Sequence, residues 1–191
     1  MSMTMITFDA QWVTIANRAL LRIGSDQISS LDDGSVGANF CSQLLPQALE
    51  TCYSSYHWRS AAKRAQLVPL AIAPAYGFAY QYILPPDFAL IRKVQCDGAY
   101  EIEGMRILSD STAMSISYVA IPSTPSEMAP ILRDLVVRQL SYLISIPMLK
   151  NDTISNRLSQ EYMQAYAMAV QKDSIALDEE DTSIGWYDDN R

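Results

Sequence analysis

The sequence is poor in histidine, cysteine and basic charge, and each shortage excludes a class of function. His57 is the only histidine, and the three cysteines, Cys41, Cys52 and Cys96, form no Cys-x-x-Cys pair. That set lacks the ligand spacing of a zinc site, and three cysteines cannot make a disulfide framework. Cys41 and Cys52 stand eleven residues apart, about three helical turns, and read as small buried apolar groups of a reducing compartment. Lys and Arg number 14 against 21 Asp and Glu, for a net charge of −7. This balance opposes binding to a phosphate backbone, which needs a basic face. No Walker A, Gly-x-Gly-x-x-Gly or Gly-x-Ser-x-Gly pattern occurs. Gly34 and Gly37 share a loop with Asp32 and Asp33, which would repel a phosphate. The most apolar segment, Leu135 to Leu149, is interrupted by Arg138 and Pro147 and is too short to span a bilayer. Met1 to Phe8 has neither a basic start nor a long apolar run, so no signal peptide is expected. Together these absences predict a soluble intracellular protein with no metal, cofactor or membrane partner.

Hydrophobic residues make up 49% of the 191, enough for an ordinary core. The pattern opens with a helix after Asp9, whose face is Trp12, Ile15, Ala16, Ala19, Leu20 and Ile23, with Gly24 as the left-handed terminator. After a polar loop Ser35 caps a second helix. Its stripe runs through Phe40, Cys41, Leu44, Leu45, Ala48, Leu49, Cys52, Tyr53 and Tyr56 toward Trp58. Pro46 lies inside it and is expected to kink or split it. His57, at the helix end, is expected to pack or to face the helix dipole.

From Trp58 to Ile121 the pattern becomes β-prone. Pro69, Pro74, Pro85 and Pro86 forbid a long helix. Short runs at 66–70, 79–84, 90–97, 101–108 and 114–119 read as strands, with a hairpin at Asp97-Gly98 and a turn at Gly104. Tyr100 to Glu103 alternates as a half-exposed strand would. A third helix, capped by Ser126 with Pro130 in its first turn, is expected to stop at Pro147. A fourth, capped by Asn151 or Asp152, should end near Ala176. The fold class is therefore α+β. An antiparallel bundle of about four helices (about 9–57 and 126–176) carries a small antiparallel β-sheet inserted between the pairs, at about 58–121, in one domain of about residues 1–177. An extended acidic tail, 178–191, follows. It holds six acids and one arginine, a net −5, leaving −2 for the rest.

The residues Ile23-Gly24, the loop Ile28-x-Ser30-Leu31, the Ala-rich helix from Ala38 through Leu49 to Trp58 and on to Leu67, and the step Leu84-Pro85-Pro86-Asp87 carry a resemblance. The chain resembles the head-to-tail adaptors of short-tailed bacteriophages, the tail tubular protein A or gatekeeper family. The likeness covers the first third best, and Pro46 departs from it. It implies a structural virion protein that assembles as a twelve-subunit ring below the portal protein. Such a ring extends the channel for passing DNA, touched only non-specifically, and offers a platform to the tail nozzle protein. It also implies no catalysis, and assembly in the host cytoplasm. In the family the C-terminal segment grips the portal, so the expected docking residues are Asp178, Glu179, Glu180, Ile184, Trp186 and Tyr187. Arg59, Lys63 and Arg64, beside Trp58, are candidates for channel lining or subunit contact. Two other classes stay open: a small hydrolase with a site in the β-region, and a small regulatory protein that binds a partner through its acidic tail.

Overall fold

A computed structural model describes residues 10–184, with only the backbone for 175–184. Four helices and two small antiparallel sheets make up the molecule. Helix α1 (Ala10–Arg22) buries the expected face, and Gly24 terminates it at φ +74°. The N-cap expected of Asp9 lies outside the described residues. Ser35 caps α2 (Val36–Ser54), its hydroxyl oxygen accepting from the Ala38 N–H at 3.1 Å. Helix α2 does not split at Pro46. The turns on both sides are pinned by buried Cys41, Leu45, Ala48 and Leu49, so packing offsets the lost donor.

Sheet A contains β1 (Ala62–Leu67), β6 (Met114–Ala120) and β3 (Phe88–Gln95), in the order β1-β6-β3. Sheet B contains β2 (Tyr80–Ile83), β5 (Arg106–Ser109) and β4 (Tyr100–Glu103), in the order β2-β5-β4. The single expected sheet is thus two. Asp97-Gly98 makes a turn, with Gly98 at φ +92°, but it joins strands of different sheets instead of closing a hairpin. Gly104, at φ +58°, does close the β4–β5 hairpin. Strand β4 is an edge, and all four of its residues are exposed, Tyr100 and Ile102 included, so the expected half-burial fails. Strand β1 begins four residues earlier than its own β-propensity predicts, because pairing with β6 extends it.

Helix α3 (Pro130–Leu149) starts at Pro130, while Ser126 falls in a separate 3-10 turn, Pro125–Glu127. Pro147 does not stop α3. So near the end it costs one backbone bond, and Lys150 (φ +47°) terminates the helix instead. Asn151 then caps α4 (Asp152–Ile184), its Oδ1 accepting from Thr153 and Ile154. Helix α4 continues past Ala176, so the acids 178–181 stand on helical backbone and not on an extended tail. Residues 185–191 lie outside the described residues.

The helices share one core with the near end of sheet A, where Val119 is buried and Leu90 packs beside it. A second core lies between the sheets, built from Tyr82, Ile107, Met114, Ile116 and Tyr118. Sheet A is therefore the middle layer. Trp58 is fully buried where the helices meet the sheet, and its Nε1–H donates to the Cys52 carbonyl at 2.8 Å. Its ring meets Tyr56 and Tyr166 edge-on.

Candidate functional site

The three basic residues grouped by sequence are separated in space. Arg59 lies between α2 and β1, and its backbone N–H donates to the Asp173 carboxylate of α4 at 3.1 Å. Lys63 pairs with Asp87 at 2.9 Å, and Asp87 also accepts from the Tyr118 hydroxyl at 3.0 Å. These contacts lie on the face of sheet A that is turned toward sheet B, because Lys63 pairs in register with Tyr118. Arg64, one residue on, points to the opposite face.

On that opposite face the far half of sheet A is not covered by helices. It forms an open cleft of about 770 Å³. One row across the three strands is Arg64, Ser117 and Lys93, and the next is Gln66, Ser115 and Gln95. Arg92 joins them because β3 is bulged. The register passes from Ile91–Tyr118 to Lys93–Ser117, so Arg92 is an extra residue and both cations reach the cleft. His57 completes the wall. It is exposed and stands three residues past the end of α2, so it neither packs nor caps that helix. No carboxylate of the described residues lines the cleft. Among the described residues, Arg64, Arg92 and Lys93 make no ion pair.

Arg92, Lys93 and His57 were not grouped with Arg64 by the sequence. The local signal was the pair Arg92-Lys93 inside the apolar run Phe88 to Val94, which breaks strand alternation as a bulge does. Ser115 and Ser117 share the cleft with His57, yet no hydrogen bond joins either hydroxyl to the imidazole among the described residues. The buried thiols are not poised as nucleophiles. Burial pushes Cys41 up to about 11 and Cys52 up to about 12, the latter despite a bond with the Tyr162 hydroxyl. No group of three or more metal-ligating side chains occurs among the described residues. No described helix is long and apolar enough to cross a membrane.

Of the docking residues expected at the C-terminus, Asp178, Glu179, Glu180 and Ile184 fall on the backbone of α4. Trp186 and Tyr187 lie outside the described residues.

Exposed apolar side chains fall into two sets by element. One belongs to the β region: Val68, Ile72, Tyr76 and Ile83, then Tyr100, Ile102 and Met105 in and beside β4. The other belongs to the helices: Leu21, Val36, Ile146, Met163 and Met168. Comparison with protein-family models and with curated proteins finds no match for the chain.

Proposed function

We propose that the chain is a structural subunit of a ring, a head-to-tail adaptor that joins a portal protein to a tail nozzle. The observation that carries this reading is the pair of exposed apolar sets, one on the β layers and one on the helices. A cyclic ring closes through heterologous contacts, in which each subunit offers two different patches. Exposed apolar side chains on two different parts of the subunit are what two such contacts would bury. A twelve-subunit ring is the form that the family resemblance implies.

Helix α4 supplies an arm. At about 1.5 Å per residue its 33 residues run about 50 Å, against about 30 Å for the 20 residues of α3, its antiparallel partner. About a dozen residues at its end therefore have no length of α3 to lie against. They include Asp178, Glu179, Glu180 and Ile184, with Trp186 and Tyr187 just beyond. Acids and aromatics at the tip of an arm suit a basic, pocketed partner surface on the portal, where Trp and Tyr act as anchors.

The test is co-sedimentation with portal rings. The full chain should saturate the portal, and a chain ending at Leu177 should bind far more weakly. Added salt should weaken the full chain's binding through the loss of the acids' share. Saturation by the shortened chain would move the docking surface into the helical body and remove the arm from this account.

A further inference from the structure

We infer that the basic cleft on sheet A is a seat for the chain's own acidic C-terminal segment, residues 178–191, in the free protein. The inference does not rest on the adaptor reading and needs no portal.

Among the described residues the cleft has no counter-charge. Arg64 and Lys93 flank Ser117 in one cross-strand row, and Arg92 sits beside Lys93. Arg64 and Lys93 stand on the two strands that flank β6, about 10 Å apart, and no carboxylate of the described residues lines the cleft to offset the three cations. Five other bases have carboxylate partners: Arg18 and Arg138 share Asp134, Arg22 and Arg157 share Glu161, and Lys63 has Asp87. Gln66, Gln95, Ser115 and Ser117 add uncharged donors beside the cations. This wall suits a multiply charged carboxylate or phosphate ligand.

The chain carries such a ligand within reach. Its last fourteen residues hold −5 of the total −7. Helix α4 already touches the cleft's rim, because Asp173 accepts from the N–H of Arg59, two residues beyond His57 on the wall. Asp178 follows Asp173 by five residues, about 7–8 Å along a helix. The five residues 185–189 can span at most about 18 Å, enough to carry Asp188 and Asp189 back over the length of α4 that follows Asp173. Tethering gives the segment a millimolar local concentration, on the order of. A nucleic acid has no such advantage and meets a chain of net −7.

A carbodiimide, which joins an amine to a carboxylate in direct contact, tests the proposal on the full chain. Equal parts of unlabelled and ¹⁵N-labelled protein are treated together and digested for mass spectrometry. Lys63–Asp87, at 2.9 Å, is the internal control for folded protein. The expected result is a link from Lys93, the only lysine in the cleft, to an acid of 178–189, with both halves carrying the same isotope. That link should be lost in the full-length variant Arg64→Ser/Arg92→Ser and at high salt, while the Lys63–Asp87 link persists in the variant. Absence of the Lys93 link beside a strong control would overturn the inference. So would a mixed-isotope link, which would give the cleft to a neighbouring copy. Protection of Lys93 from acetylation only on adding duplex DNA, with no link to the tail, would give it to nucleic acid and equally overturn it.

Discussion

At the scale of single residues, Trp58 is where sequence and structure agree most closely. Its place after an amphipathic helix and before a run of prolines predicts a buried hinge, and the ring is fully enclosed between Tyr56 and Tyr166. Trp58→Ala should lower stability by about 3–5 kcal/mol, read from denaturant unfolding. An unchanged midpoint would mean that the site collapses without cost. Cys41 and Cys52 were equally legible, since their spacing put both on the buried stripe. In the native protein they should not react with a disulfide reagent, whereas half-buried Cys96 should; three equal rates would contradict the assigned burial. His57 was not legible. Beyond nearby β1, its surroundings come from β3 and β6, more than thirty residues away, and from one bulge at Arg92, and neither leaves a mark near residue 57.

At the scale of elements, local signals succeeded where a local bond decides and failed where distant packing does. Ser35 caps α2 through its own hydroxyl, and the sequence announced it. Ser35→Ala should cost about 1 kcal/mol. The same loop carries a pH-sensitive knot. Asp33 accepts from the backbone N–H groups of Ser35 and Ser29, at 2.9 and 3.0 Å. The Ser35 hydroxyl foremost, then those two N–H groups, hold its carboxyl down to about 2 from 3.8. A depressed folded-state value means that the contribution is present above 3.8 and is lost as pH falls from there toward 2. Amide exchange at the start of α2 should speed up over that window, and Asp33→Asn should flatten the change. The same acceleration in the variant would assign the effect to another group. Pro46 does not split its helix and Pro147 does not stop its own, because packing or the nearby helix end absorbs the lost donor in each. The Asp97-Gly98 turn was legible as a turn, but which strands it joins depends on partners found elsewhere: β3 takes β6 and β4 takes β5.

At the scale of the whole molecule, the order of helices, strands and helices was visible in the switch from helical to alternating period and in the cluster of prolines. The division of the strands into two sheets was not. Strand β1 pairs with β6, Ala62 opposite Val119, across a sequence separation that no short window samples. The cleft lies on the face of sheet A turned away from sheet B, beyond the near end that the helices cover. The end of α4 was misplaced because a run of acids reads as a tail, while the helical backbone continues through it. Assembly is where the central claim stands or falls. The isolated chain, which has no long coiled-coil stripe, should scatter light as a monomer at micromolar concentration and form rings on a portal template. A stable closed ring formed without portal would remove the templated step. The most direct measurement is electron microscopy of the full chain mixed in excess with its cognate portal. The account predicts an added ring of density, coaxial with the portal and with one copy of this chain per portal subunit. Portal particles of unchanged outline, with the chain left free at saturating concentration, would contradict it.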